Sequence, residues 1–194
     1  MSITYPLALP TSIGIADITL SANNAVAISQ SPFTFQQQII RHPGQRWMAS
    51  VTIPPVRRDL AEPWIAFLLA LNGPVGTFLL GDPNGKAPQG TATSATITGT
   101  AGSSGPTITM TGTLLAGDYI QVGSGATATL HKVLQDRDGT GVVDIWPALR
   151  SDVTDATVTL TNTVGRFRLS GNQQSFNIND ASIYGISFDA VEAF

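Results

Sequence analysis

The chain has no cysteine, so it has no disulfide, no thiolate nucleophile and no cysteine-ligated metal. Charge is also scarce. Asp, Glu, Lys and Arg make up 12% of the 194 residues, about half the usual share for a globular domain. With ten basic residues and a net charge of −3, no broad basic field exists to meet a phosphate backbone, which argues against specific nucleic-acid binding. No apolar run approaches bilayer length; the longest, Trp64 to Leu71, is far too short, so no membrane span is expected. Met1 to Pro10 has neither a basic n-region nor a long apolar stretch, and the expectation is a chain made and folded in a cytoplasm without a cleaved leader. Nor is there a G-x-S-x-G elbow, a P-loop or an H-E-x-x-H pair. What remains is a chain 42% hydrophobic and dense in Thr, Ser and Gly, ending on the apolar stretch Phe188 to Phe194. Such a chain covers its surface with neutral polar groups or hides it against partners. The expectation is a β-rich, non-enzymatic structural protein that packs into an assembly.

Three blocks follow one another. In the first, Met1 to about Pro83, the spaced apolar residues Ile13, Ile15, Ile18 and Leu20 predict short strands. Trp47, Ala49, Val51 and Ile53 alternate with polar or smaller neighbours, the period of a half-buried strand. The Pro43-Gly44 pair signals a turn, so Thr34 to Ile40 and Trp47 to Ile53 are expected to form a hairpin. One helix is predicted next. Asp59 is its expected cap, with Glu62 completing a capping box and Pro63 in the first turn. Trp64, Phe67, Leu68 and Leu71 share one face, and Asn72-Gly73-Pro74 ends the helix. A strand, Gly76 to Leu80, follows.

The second block, Asn84 to Thr163, is almost purely β. Leu115 to Val122 and Ala126 to Val133 flank Gly123-Ser124-Gly125 as a hairpin. Asp136 to Gly141 is a second turn, followed by a strand from Val142 to Trp146. The third block, Val164 to Phe194, has strands Arg166 to Ser170 and Ile183 to Val191, joined by the polar stretch Gly171 to Asp180. It is too short to bury a core alone. The economical architecture is a discontinuous core, residues 1–83 plus 164–194, interrupted by an all-β insertion, residues 84–163.

Each candidate chemical site has a plainer explanation. His42 and His131 sit in no triad or metal spacing and are expected to be structural. Asp136, Asp138 and Asp144 resemble part of a calcium loop, but Thr140 and Pro147 stand where further ligands belong, and an Asp-Gly turn accounts for the same residues. Gly123-Ser124-Gly125 leads into a strand, not the helix N-terminus that a phosphate cradle needs. Arg57-Arg58 is a solvated pair or a salt-bridge site across an interface. Trp47 and Trp64 fall in the buried phase of their elements; Trp146, at the rim of the insertion, stays open as a sugar-stacking platform.

The stretch Trp64 to Pro83 resembles the helix-then-strand signature of distal tail proteins and related minor tail proteins of long-tailed, siphovirus-type bacteriophages, in which the helix leads into a Gly-x-Phe-Leu strand, here Gly76-Thr77-Phe78-Leu79, and a polar-Pro corner. Ala116 to Gly123, Asp144 to Pro147, Gly165 to Leu169 and Tyr184 to Glu192 resemble the same group. The resemblance implies a tail-tube-like β-sandwich or split-barrel core with one α-helix, and an insertion domain on the outside of a ring, commonly a homohexamer. It implies a structural protein of the virion, at the tail tip, with the tail tube protein, the baseplate hub or central fibre protein and the tape measure protein as partners. It carries no catalytic, cofactor or metal residues. The alternative expectation is a carbohydrate-binding module that meets the host surface through the insertion.

Overall fold

The computed structural model describes residues 3–178 and 182–194; the end of the expected Gly171–Asp180 connector lies outside them. In chain order the strands are β1 (Asp17–Gln30), β2 (Gln37–Arg57), β3 (Phe78–Leu80), β4 (Ser94–Gly99), β5 (Thr107–Thr111), β6 (Thr113–Leu114), β7 (Tyr119–Val122), β8 (Thr129–Val133), β9 (Arg137–Asp138), β10 (Gly141–Val142), β11 (Ile145–Trp146), β12 (Val153–Thr159), β13 (Gly165–Leu169), β14 (Phe176–Ile178) and β15 (Ile183–Glu192). Helix α1 (Arg58–Ala70) links β2 to β3. The protein is mainly β with one α-helix among the described residues, the class expected of a β-sandwich or split barrel.

The first sheet runs β1-β2-β15-β13-β3, all antiparallel, with β14 added beside β15. It unites strands from the first and last parts of the chain. The second sheet, β10-β5-β4-β12-β7-β8-β11, is built from the middle part alone. Alternation makes the inner face of each. In β2, Gln45, Trp47, Ala49, Val51 and Ile53 point inward at every second position. In the second sheet Ile97, Ile108 and Ile120 are fully buried, while Thr98, Thr107 and Thr109 face water.

The helix closes the inner face of the first sheet. Ala61, Trp64, Ile65, Phe67 and Leu68 are its buried stripe. An aromatic cluster forms beneath it: Phe67 meets Phe78 edge-on at 5.5 Å, Phe78 meets Phe188 at 6.0 Å, and Trp64 lies 6.2 Å from Phe188. The expected capping box is absent. β2 ends at Arg57 and the helix begins at Arg58, so Arg57 is the N-cap and no side chain caps it. With no loop between strand and helix, Asp59 falls inside the first turn, and Glu62 pairs instead with Arg58 at 2.9 Å. Pro63 lies within the helix, past its first turn. The C-terminus follows expectation: Asn72 and Gly73 adopt left-handed φ values of 50° and 65°, and the Gly76 N–H donates to the Leu71 carbonyl at 2.8 Å.

Several other expectations need correction. The Pro43-Gly44 pair makes no turn; both residues lie inside the continuous 21-residue strand β2. Opposite them the register slips, from Asn24 facing Gln45 to Val26 facing Arg41. A proline that cannot donate to the ladder and a glycine that admits the Ala25 side chain thus encode a bulge. The reversal is instead at Ser31 to Gln36, where the Ser31 N–H donates to the Gln36 carbonyl at 2.9 Å. The short strands expected near Ile18 and Leu20 are one long strand, β1. The strand expected at Val142 to Trp146 is two, β10 and β11, pairing with different neighbours.

Candidate assembly surfaces

The two sheets meet along a bonded seam. The Trp47 indole N–H donates to the Leu130 carbonyl at 2.9 Å, and the Val164 N–H donates to Gln121 Oε1 at 2.9 Å. At its centre is a buried carboxylate. Glu192, 5% exposed, accepts the Trp47 backbone N–H at 3.0 Å and lies 2.7 Å from an Arg150 guanidinium nitrogen. The same guanidinium donates to the Gln45 carbonyl and covers the Phe194 ring at 4.4 Å. A charge so placed needs every one of these partners, because an isolated buried carboxylate is costly. The seam therefore clamps the C-terminal strand, the connection between β11 and β12, and β2 at one point.

His131 lies beside this clamp, fully buried. One ring nitrogen is 2.7 Å from the Pro147 carbonyl and the other 2.9 Å from Thr129 Oγ1. Burial pushes its pKa down to about 4, opposed by the Pro147 bond and reinforced by Arg150. The ring is neutral at pH 7 and serves as a hydrogen-bonded core residue. His42 is exposed on β2 beside the bulge. Asp136 accepts the Ala116 N–H at 2.8 Å, Asp138 pairs with Thr113 across β9 and β6, and Gly139 takes the left-handed φ of 60°. Among the described residues no three His, Cys, Asp or Glu side chains come together as a metal site. Gly123-Ser124-Gly125 lies between β7 and β8, which form the expected hairpin, shorter than expected. Arg58 is held by Glu62 within its own helix. Trp146 is engaged: its ring meets Trp47 edge-on at 4.5 Å and its N–H donates to Asn24 Oδ1 at 2.8 Å.

The largest feature that sequence reasoning missed is an arm. β1 and β2 continue past the core as a two-stranded hairpin. From Ser21 to Gly44 every residue is exposed except half-buried Ser31. Both faces of the arm are partly apolar. Ile28 pairs with Ile39 on one face, and Ala27 pairs with Ile40 on the other. The tip is aromatic, with Phe33 92% and Phe35 72% exposed. Phe35 takes a φ of 56°, a conformation that favours glycine. Ser31 holds the turn: its carbonyl accepts the Phe35 N–H at 3.0 Å, and its Oγ lies 3.4 Å from the N–H groups of Phe33 and Thr34. Ser31-Pro32, a favoured pair for opening a turn, was the signal in the sequence.

The edges of the first sheet differ. Beyond β3, Leu7 bridges Phe78, exchanging bonds with Thr77 and Leu79 at 2.8 and 2.9 Å, so this edge is covered. Among the described residues β1, at the other edge, pairs with β2 alone along its 14 residues. Its only charge is Asp17, and it has no proline. Edge strands that must stay unpaired usually carry such guards.

No helix among the described residues is long and apolar enough to cross a membrane. No protein-family model matches the chain. No curated protein matches it.

Proposed function

We propose that this chain is a structural protein of a bacteriophage tail tip, whose copies close into a ring that joins the tail tube to the baseplate hub or central fibre. One observation carries the reading: an arm with Ile28, Phe33, Phe35, Ile39 and Ile40 exposed, on a chain with little charge to keep that surface in water. Exposed apolar surface on this scale is a liability for a monomer and an asset at an interface. The unguarded edge of β1 adds a second means of joining copies, because a strand of a neighbour can extend the sheet there. Head-to-tail contacts between unlike surfaces of identical copies can close by rotation into a ring. The tail-tip assignment itself rests on the resemblance at Trp64 to Pro83 and the later segments.

No catalytic step is assigned, and a non-enzymatic role is part of the proposal. The alternative is a carbohydrate-binding module that meets the host surface through the insertion; its candidate platform, Trp146, is half-buried, packs edge-on against Trp47 and donates its N–H to Asn24 Oδ1. Sedimentation of the purified full chain with and without the tip substitutions Phe33→Ser and Phe35→Ser tests the proposal. Multimers that dissociate on substitution support it. A chain that is monomeric at every concentration, alone and with purified tail tubes, overturns it.

A further inference from the structure

An open pocket of about 260 Å³ lies beneath the N-terminal segment Leu9 to Ile15. Leu9, Ile13, Ile15, Trp64, Leu79 and Val164 give it an apolar wall. The wall is incomplete in a specific way. Trp64 Nε1 and Thr163 Oγ1, both in lining residues, are buried with no hydrogen-bond partner among the described residues. Buried polar atoms in native proteins are nearly always satisfied, so two unpaired ones in residues of this lining are where a shift of the wall would gain hydrogen bonds.

The same chain carries an apolar knob with nothing to cover it, the Phe33–Phe35 tip. The tip cannot reach its own pocket. Ile15 stands two residues before β1, and the tip begins after β1 ends, so about 45 Å of continuous strand separates them at roughly 3.3 Å per residue. A second copy has no such constraint. The tip, Ser31 to Gln36, bears no charge, so it brings no ion of its own into the pocket, whose charged lining residues are Asp82 and Lys86. An aromatic side chain entering such a pocket hides on the order of 150–250 Å².

We propose that the pocket beneath Leu9 to Ile15 is the receiving site for the Phe33–Phe35 arm tip of a second copy of this chain. The inference rests on the ring reading above and gives it a specific contact: knob and pocket are different surfaces, so each copy offers a tip to one neighbour and a pocket to the other. Opening of the wall on entry gives Trp64 Nε1 and Thr163 Oγ1 access to the carbonyl groups of the incoming turn.

The absence of cysteine allows a direct test. Gly14 lines the pocket, and a side chain added there meets nothing within 4 Å. Full-length Gly14→Cys chain is mixed with full-length Phe33→Cys chain, which keeps Phe35, under mild oxidation. The expected result is a mixed disulfide dimer, absent when exposed Thr107→Cys replaces Gly14→Cys as the control. If the native chain assembles but no mixed disulfide forms above that control, the pocket assignment is overturned and the ring reading stands. If the native chain forms no multimer, alone or on purified tail tubes, both fall.

Discussion

The Arg150 guanidinium lies 2.7 Å from the buried carboxylate of Glu192, across 42 residues of chain, and joins the connection between β11 and β12 to the last strand. Removing one member strands the other. Arg150→Ala is expected to destabilise the fold by about 3 kcal/mol, at the lower end for a broken buried pair because the Arg150 side chain is 21% exposed. The double variant Arg150→Met, Glu192→Leu is expected to recover most of that loss. Urea unfolding of the three chains checks this, and equal losses in single and double variants would contradict it.

Acid should weaken the same seam through His131. Its folded pKa, about 4, lies below the ordinary 6.5, so the unfolded chain takes up the proton first. The stability due to the neutral ring is fully present above about pH 6.5, falls as the pH drops, and is gone below about pH 4. The full effect is about 3 kcal/mol. His131→Gln is expected to flatten this part of the stability profile, measured by denaturant titration between pH 7 and 4.

The arm tip should separate folding from assembly. Phe33 touches little within its own chain, so Phe33→Ser should change stability by no more than about 0.5 kcal/mol. Phe35→Gly should be neutral or stabilising by about 0.5–1 kcal/mol, because glycine accepts the φ of 56° without strain. Each substitution should nevertheless weaken self-association by about tenfold or more, since each removes an aromatic contact worth about 1.5–3 kcal/mol when buried. Thermal unfolding and analytical sedimentation, run side by side, read the two effects.

Gly76 explains in steric terms the glycine of the helix-to-strand motif. A Cβ there would lie 2.6 Å from the Tyr5 ring and 2.7 Å from the Leu71 carbonyl oxygen. Backbone at that distance has to move, and the movement would break the Gly76–Leu71 bond that ends the helix. Gly76→Ala is expected to cost about 2 kcal/mol or more by chemical denaturation.

Much of the core was legible because periodicity is local. The alternation at Trp47 to Ile53 and the stripe at Trp64, Phe67 and Leu68 both predicted their burial correctly. The arm was not legible, because beyond the core neither face of β1 or β2 is buried and the period-two pattern disappears. Pro43-Gly44 misled for a related reason: the same residues that start a turn also make a bulge, and only the partner strand decides between them. The Arg150–Glu192 clamp and the pocket join residues far apart in sequence, and no local pattern announces either.

The central claim is that copies of this chain close into a ring. Sedimentation of the full chain over a wide concentration range, with negative-stain imaging of the same samples and of samples containing purified tail tubes, tests it most directly. The account predicts closed rings of identical subunits, lost on Phe33→Ser, Phe35→Ser substitution. A single protomer of 20.3 kDa at every concentration, with no rings on the tubes, would contradict it.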